Sequence, residues 1–328
     1  MGERFNFLNR LKEPVVLKDD HDTEKQLNEL KALLPRVTEE GREIIEKDIK
    51  KLEYGIVGEK QILFELKNSH MPMYIIHDLY LSDGEQQAQI DYLVVTKKIC
   101  FVIECKNLYG DIEINEKGEF IRRIQFGKYY KKEGIYSPIT QNQRHMELLK
   151  KIKSENKTNI FLKVIGNMSF DDFYKSVVVL ANPSTVLKDK KAPKDMKKQV
   201  IRGDQLIKYI KEKVKESKEF ANSSDGMEKW ATNILKLDTQ KQMDYTAKYM
   251  KYIGTNDNDL KNSLKKYRLN KSKEENTKAY IIFTDKQLDA LIENKPKNKD
   301  ELLRISGFGE KKVEKYGDDI LEKIRKHA

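Results

Sequence analysis

Two carboxylates and a lysine lie close together between residues 89 and 107 of the sequence. Asp91 belongs to one apolar run, and Glu104 and Lys106 end the next one. Both runs are rich in β-branched residues, which predicts two strands joined as a hairpin at Lys97-Lys98. Because side chains alternate along a strand, Glu104 and Lys106 share one face. A two-residue loop places Asp91 opposite Glu104, with Cβ atoms about 5 Å apart, so their like charges repel unless a cation binds them.

This arrangement predicts a site for a hard metal ion. Carboxylates from adjacent strands and a backbone carbonyl, that of Cys105, supply the oxygen ligands that Mg²⁺ or Mn²⁺ prefers. Such an ion activates water and offsets charge on a phosphate under attack. Lys106 would then hold the attacking water or the phosphate. The alternative is a surface ion pair between Glu104 and Lys106, because Glu-x-Lys tripeptides arise by chance in a chain this rich in both residues.

Three further polar side chains interrupt apolar stripes of predicted helices. Glu59 stands on the stripe of a helix that follows Gly58, and Gln141 and His145 begin the stripe of a helix expected at 138–152. A buried charge is costly unless it meets a cation, a metal or water. Glu59 and Gln141 are therefore candidates to complete the metal site. His145 is either a partner of phosphate or water or a satisfied core residue, since histidine serves both purposes.

The composition favours a polyanionic partner. The chain has 328 residues, enough for about two domains, and a net charge of +11 with a pI near 9.2. Positive charge binds nucleic acid because it releases counterions, although a lysine-rich composition can also reflect an AT-rich genome. No apolar run approaches a membrane span, and Cys100 and Cys105 cannot bridge each other within one strand. We therefore expect a cytoplasmic protein in a reducing compartment, without a membrane partner.

The elements around these residues predict an α/β domain. Strands are expected at 73–81, 89–96, 99–106, 111–114, 161–165 and 177–181. The chain before them is read as helical from Asp22 to about Leu52, with breaks at Pro35 and Gly41. After them come a lysine-rich loop at 184–203, helical segments at 203–250 and a polar, turn-rich linker at 253–259.

Four short motifs contain the candidate residues. They are Gly58-Glu59, Gln89-Ile90-Asp91, Val102-Ile103-Glu104-Cys105-Lys106-Asn107 with Gly110, and Ser137-Pro138-Ile139-Thr140-Gln141-Asn142 with His145. Together, over residues 53–182, they resemble the nuclease-related domain, NERD, a branch of the PD-(D/E)XK nuclease superfamily. The resemblance implies a mixed β-sheet flanked by helices and metal-dependent cleavage of phosphodiester bonds.

Carried over by position, the resemblance implies a role for each candidate residue. Asp91 and Glu104 would be metal ligands, Lys106 the catalytic lysine, Glu59 the acidic residue of the helix and Gln141 the later polar residue. The hairpin turn of this family usually carries a glycine before the second strand, whereas this chain has Lys97-Lys98 there.

A second resemblance covers residues 260–328. It rests on Tyr280-Ile281-Ile282-Phe283-Thr284-Asp285-Lys286-Gln287-Leu288, Pro296, Leu302-Leu303, Ile305-Ser306-Gly307-Phe308-Gly309 and Lys315-Tyr316-Gly317. This order is similar to the HRDC domain of RecQ helicases and RNase D, which implies a small all-α bundle that assists nucleic-acid binding. Amides at Gly307 and Gly309, with Lys311 and Lys312 beside them, would receive a phosphate. The alternative is a packing turn in which the glycines only allow close helix approach.

The sequence thus predicts four segments: a helical N-terminal extension at 1–52, a nuclease-like domain at 53–182, a basic loop and helical connector at 183–259, and an HRDC-like domain at 260–328. The expected function is hydrolysis of nucleic acid, DNA rather than RNA, with Mg²⁺ or Mn²⁺ as cofactor. The alternatives are a nucleic-acid-binding protein that does not cleave and an adaptor that recruits a helicase. A helicase or a repair or defence protein is the expected protein partner.

Overall fold

The computed structural model describes residues 11–19, 22–155, 168–239, 244–253 and 256–327. The strand expected at 161–165 lies outside these ranges. The chain divides into two compact units. The first unit comprises Met1–Lys25 and Lys51–Met243, and the second comprises Gln26–Lys50 and Asp244–Ala328. Within the described ranges, no helix is both long enough and apolar enough to cross a membrane.

The strands all belong to the first unit. In chain order they are β1 (Pro14–Asp19), β2 (Met73–Ser82), β3 (Gln87–Val95), β4 (Cys100–Lys106), β5 (Asp111–Ile114), β6 (Phe120–Phe126), β7 (Tyr129–Ile135), β8 (Tyr174–Leu180), β9 (Leu187–Lys188) and β10 (Val200–Arg202).

The helices are distributed over both units. In chain order they are α1 (Asp22–Leu33), α2 (Glu39–Lys67), α3 (Pro138–Glu155), α4 (Phe170–Phe173), α5 (Lys194–Lys197), α6 (Leu206–Glu216), α7 (Ser224–Leu235), α8 (Asn256–Glu274), α9 (Ala279–Ile282), α10 (Asp285–Asn294), α11 (Lys299–Leu303) and α12 (Glu310–Lys326), with short 3₁₀ turns at Leu34–Arg36, Gly203–Gln205 and Ala247–Tyr252.

The first unit is built on a six-stranded mixed sheet in the order β1-β2-β3-β4-β8-β10. Strands β2, β3 and β4 are antiparallel, whereas β1 pairs with β2, and β8 with β4 and β10, in parallel. A four-stranded sheet has the order β7-β6-β5-β9. Helices flank these sheets, which is the α/β class that the sequence predicts.

The β3–β4 hairpin has the predicted register. Tyr92 lies opposite Ile103, and the pairing continues toward the turn in the same register. The Thr96 amide donates to the Ile99 carbonyl at 3.0 Å, which leaves Lys97-Lys98 as a two-residue loop. The missing glycine therefore does not change the register. One further step along the two strands in this register places Asp91 opposite Glu104.

Two apolar clusters cover the two faces of the six-stranded sheet. One contains Leu148 and Leu149 of α3 and Met227, Ala231 and Ile234 of α7. The other contains buried side chains of α2 and α6, among them Ile62, Leu66, Leu206 and Ile210. Because burial of apolar area is the main favourable contribution to folding, these clusters fix α2 and α3 against the sheet, and with them Glu59 and Gln141.

The alternation of side chains changes phase within β2 and β3. Ile76 and Leu79 belong to the same cluster although they are three positions apart, and so do Ile90 and Leu93. Regular alternation would put the members of each pair on opposite faces. Asp78, between the first two, has a left-handed backbone with φ of 58°. This residue turns the strand over, so that each half of β2 presents a different set of positions to α3.

Two predicted helix limits are wrong. We expected a break at Gly41 and a helix start after Gly58, yet α2 continues through both. A Cβ on Gly41 would lie 2.5 Å from the Tyr252 Cβ, and one on Gly58 2.5 Å from the Asn107 Cβ. These two glycines therefore lie inside the helix, where neighbouring side chains pack too closely to leave room for a Cβ. They do not mark helix ends.

Segments outside 53–182 also contribute to the sheets. The N-terminal extension, predicted to be helical, contains β1, which pairs with β2. The loop after residue 183 contains β9 and β10, which pair with β5 and β8. The predicted linker at 253–259 is shortened because α8 begins at Asn256.

The second unit contains a helical bundle of α8 to α12 around one apolar cluster. Leu260, Leu264, Phe283, Leu288 and Phe308 are buried members of this cluster. A capping box begins α10, with reciprocal hydrogen bonds between Thr284 and Gln287. This all-helical unit agrees with the predicted fold class.

Candidate active site

Glu104 is a charged side chain in the middle of the six-stranded sheet. It lies on β4, between β3 and β8, and is 1% exposed. Its Oε1 lies 2.6 Å from Nζ of Lys106, which shares its face of the strand. Burial raises the pKa of Glu104, although the charge of Lys106 and its hydrogen bond act in the opposite direction. The pair is therefore a largely buried ion pair and not the surface pair of the alternative interpretation.

Asp91 is held against β4 by the backbone. The Cys105 amide donates to Asp91 Oδ2 at 2.7 Å. Burial raises the pKa of Asp91 well above its ordinary value, and the negative charges of Glu104 and Glu59 raise it further. Like charges close together favour protonation of one of them. The two strand carboxylates therefore act on each other electrostatically, as the register predicts.

Gln141 and His145 reach the carboxylates from α3. Lys106 Nζ donates to Gln141 Oε1 at 3.1 Å. His145 Nδ1 lies 3.4 Å from Glu104 Oε2, but the two atoms are not aligned for a hydrogen bond and neither has another partner among the described residues. Burial and the charge of Lys106 lower the pKa of His145 to about 4, so the imidazole is neutral at pH 7.

Asn142 fixes α3 on the sheet, a role that sequence reasoning missed. Its Nδ2 lies 2.8 Å from the Val102 carbonyl, 2.9 Å from Ser176 Oγ and 3.3 Å from the Val177 carbonyl. It thus ties α3 to both β4 and β8. The signal was present in the sequence, because Asn142 is a polar residue next to Gln141 in a helix that packs on a sheet.

Glu59 is supported by three residues that sequence reasoning also missed. Its Oε2 lies 3.3 Å from Nε2 of the buried His77, whose Nδ1 lies 3.1 Å from Asp19 Oδ1. The Tyr92 ring stacks on His77 with centroids 4.5 Å apart, and its hydroxyl donates to the Glu59 carbonyl at 2.8 Å. Burial alone would lower the pKa of His77, but the carboxylates of Glu59, Asp78 and Asp19 raise it above its ordinary value. Glu59 is therefore held at both its carboxylate and its backbone.

The donor set fits a divalent cation in part. Glu104 Oε2 is buried and accepts no hydrogen bond from any described residue, which is the condition of a carboxylate oxygen that lacks a cation. Asp91 adds a second hard oxygen ligand, and Mg²⁺ commonly takes only one or two protein carboxylates and several waters. However, in the described ranges no three His, Cys, Asp or Glu side chains converge closely enough to hold a metal. Glu59, also predicted as a ligand, has its Oε2 3.3 Å from His77 Nε2.

The predicted phosphate-binding residues lie in the second unit. Gly307 has φ of 88°, and a Cβ there would lie 2.0 Å from Gln287 Nε2. Gly309 is the N-cap of α12 and has open space around it. Lys311 is exposed, whereas Lys312 Nζ lies 3.4 Å from Gln287 Oε1. Gly307 thus has the packing role of the alternative interpretation, while Gly309 and Lys311 are open to a ligand.

Comparison with known proteins identifies two domains. The family model described as nuclease-related domain (NERD) matches residues 54–181, and the HRDC domain model matches residues 257–324. The ATP-dependent DNA helicase UvrD2 of Mycobacterium tuberculosis is 42% identical over 69 residues, which are 21% of this chain and 10% of the helicase. The ATP-dependent DNA helicase RecQ of Bacillus subtilis is 34% identical over 74 residues, which are 23% of this chain and 12% of that protein.

The chain therefore spans about a tenth of the length of these curated relatives. Among solved structures, the D. radiodurans RecQ HRDC domain 3 is 36% identical. The match covers 21% of this chain and 91% of that domain, with a TM-score of 0.21.

Proposed function

Because this chain carries a nuclease-related domain at residues 54–181 and an HRDC domain at residues 257–324, its function is related to nucleic acid, and we propose that it is a divalent-metal-dependent nuclease. The observation that supports cleavage most directly is the buried Glu104, whose Oε2 accepts no hydrogen bond from any described residue, beside the carboxylate of Asp91. Lys106 satisfies Oε1 of this carboxylate, but the buried Oε2 is costly in the folded state unless a second cation joins it.

Each side chain of the site has a role in this proposal. Asp91, Glu104 and the Cys105 carbonyl would hold Mg²⁺ or Mn²⁺, with Glu59 in support. When bound, such an ion activates water and stabilises charge on the phosphate. Lys106 Nζ, held between Glu104 Oε1 and Gln141 Oε1, would orient the attacking water or a phosphate oxygen.

DNA is the substrate that the relatives favour. UvrD2 and RecQ, which the chain matches over 69 and 74 residues, are both named as ATP-dependent DNA helicases. We propose that the HRDC domain aids DNA binding, with Gly309 and Lys311 as phosphate contacts, and that a helicase or a repair or defence protein is the partner. The free thiols of Cys100 and Cys105 suit a reducing compartment, and we propose the cytoplasm as the location.

One observation favours a second function, nucleic-acid binding or helicase recruitment without cleavage. No three metal-ligating side chains converge in the described part of the chain. A site with two carboxylates binds metal weakly unless substrate phosphate adds ligands. If this function holds, Lys106→Ala and the parent protein should behave alike in every nucleic-acid assay.

Incubation with labelled DNA and RNA, with Mg²⁺, Mn²⁺ or a chelator, tests the proposal. We expect Mn²⁺-dependent cleavage of DNA that Asp91→Asn or Glu104→Gln abolishes while binding is retained. Asp111→Asn is the matched control, because Asp111 is a strand carboxylate paired with Lys188 in the other sheet, and it should cleave like the parent. Equal cleavage by all three variants would refute the assignment of the site.

A further inference from the structure

The β6–β7 hairpin exposes an aromatic and basic surface that the proposed site does not use. Between Phe120 and Tyr136 the sequence has five basic residues and one acidic residue. Tyr130 near the turn is 69% exposed, and Tyr136 just after β7 is 58% exposed. Exposed aromatic side chains among positive charges are typical of surfaces that bind single-stranded nucleic acid.

The pairing of β6 with β7 defines which side of the hairpin faces solvent. Phe120 and Ile124 are buried, and both lie on the same face of the hairpin. Alternation places Tyr130 and Lys132 on the opposite face, with Arg123 directly across from Lys132. We call this the outer face, defined by Tyr130, Lys132 and Arg123. Arg123 pairs with Glu113 of the neighbouring β5, so Lys132 is the residue of these three whose charge can meet a phosphate. It does not cover the core, so packing does not explain its tyrosine.

Glu133, the acidic residue of the hairpin, is neutralised by its neighbours on the inner face, which is the face of Phe120 and Ile124. Lys131 Nζ lies 2.9 Å from Glu133 Oε2, and Arg122 pairs with the same carboxylate. Hydrogen bonds from these two residues lower the pKa of Glu133. Lys132 is exposed and forms no ion pair with any residue that the structure describes. Its charge is therefore available to a phosphate.

The end of the outer face lies beside α3, the helix that carries Gln141 of the candidate active site. Positions 130, 132, 134 and 136 follow the two-residue repeat of a strand, so Tyr130 and Tyr136 are about 20 Å apart along it. A Cβ on Gly134, which lies between them, would contact nothing within 4 Å. The Arg144 guanidinium lies 5.6 Å from the Tyr136 ring centroid, on the same helix as Gln141, which accepts from Lys106.

We propose that the outer face of β7, from Tyr130 to Tyr136, binds unpaired nucleic acid on its way to the carboxylate site. Bases stack on the two tyrosines, and Lys132 contacts a phosphate. In a duplex the bases are already stacked on each other, so these rings discriminate in favour of single strands. This inference rests on nucleic acid as the ligand of the proposed function, but it does not depend on cleavage.

Fluorescence anisotropy of the full-length protein in chelator, with labelled single-stranded DNA, single-stranded RNA and blunt duplex DNA, tests this surface. Tyr130→Ser combined with Tyr136→Ser should weaken single-strand binding roughly thirtyfold or more, since two stacked bases lose their partner rings. Lys132→Gln should instead reduce the slope of log K against log salt by about 0.7, the loss of one phosphate contact. Tyr129→Ser is the matched control, because Tyr129 is 81% exposed on the inner face of the same turn.

The proposal requires a loss on single-stranded DNA or RNA that exceeds the loss on duplex, with Tyr129→Ser near the parent. Equal losses on single strand and duplex, equal losses for Tyr129→Ser, or unchanged affinity in the double variant would each overturn it. The altered side chains are exposed, so we expect the variants to fold like the parent. Unchanged melting temperatures would exclude misfolding as the cause of a lost affinity. Because no cleavage occurs in chelator, an inactive carboxylate site leaves this test intact.

Discussion

Replacement of Lys106 by methionine should destabilise the first unit in a pH-dependent way. Methionine keeps the apolar volume of the side chain but removes the cation that lies 2.6 Å from Glu104 Oε1. Loss of one partner from a buried ion pair costs about 3–5 kcal/mol. The Lys106 side chain is 27% exposed, so water screens part of its charge, and we expect a loss of about 2–3 kcal/mol at pH 8.

The sign of the pH dependence follows from the raised pKa of Glu104. Burial makes the folded state bind this proton more tightly than the unfolded state, in which the pKa is near 4.5. The stability contributed by Glu104 is therefore complete below pH 4.5 and is lost as the pH rises through the folded pKa. Without Lys106 the folded pKa is higher still. The cost of Lys106→Met should therefore be small at pH 4 and larger at pH 8.

Urea unfolding in chelator, followed by tryptophan fluorescence, measures this effect in the correct unit. The chain has one tryptophan, Trp230, whose Nε1 donates to the Tyr174 hydroxyl at 2.8 Å within the first unit. Lys188→Met is the control, because it breaks an exposed ion pair of the same 2.6 Å length and should cost less than about 1 kcal/mol.

The double variant Glu104→Gln/Lys106→Met supplies the decisive comparison. It removes both charges, so it should be more stable at pH 8 than Lys106→Met alone. Equal destabilisation by Lys106→Met at pH 4 and pH 8, or a double variant no more stable than the single one, would refute the view that Lys106 compensates a buried charge.

Three further outcomes are expected. His77→Ala should lower the single-turnover cleavage rate roughly tenfold, because it releases Glu59 and such supporting contacts contribute roughly 10- to 100-fold. His77→Gln should restore part of the rate, and equal rates for the two variants would contradict this. The pKa of His145 is lowered to about 4, so the free energy of unfolding should fall as the pH drops from 6.5 toward 4. His145→Gln should flatten this part of the plot of urea midpoint against pH, and an unaltered plot would contradict the role given to His145. Gly307→Ala should destabilise the HRDC bundle by about 1–2 kcal/mol because of the left-handed backbone at this position alone, whereas Gly309→Ala should cost less. Hydrogen exchange of the α12 amides compares the two variants, and equal protection in both would contradict the packing role of Gly307.

The strand part of the site was predictable because its pattern is local. Asp91, Glu104 and Lys106 lie within one hairpin, and alternation together with a two-residue loop fixed their register. Gln141 was predictable from a helical stripe, which is also a short-range pattern. In each case the sequence places the residue on a face, and the fold only has to bring two faces together.

The support of Glu59 was not predictable because it depends on distant pairing. Asp19 reaches His77 through β1, which pairs in parallel with β2 more than fifty residues later. Parallel pairing requires a long crossover and leaves no turn signature. Strands β6 and β7 were missed for a different reason, since polar side chains occupy both faces near their turn and no apolar alternation remains.

The left-handed backbone at Asp78 also bears on how the first unit folds. With Asp78 in the ordinary β region, the strand beyond it would present Tyr80 where Leu79 now packs, and its pairing with β3 would bring Gln89 to the position of Ile90. That arrangement keeps most of the backbone pairing while it buries the wrong side chains. The backbone conformation of this one aspartate therefore decides which side chains of the second half of β2 are buried.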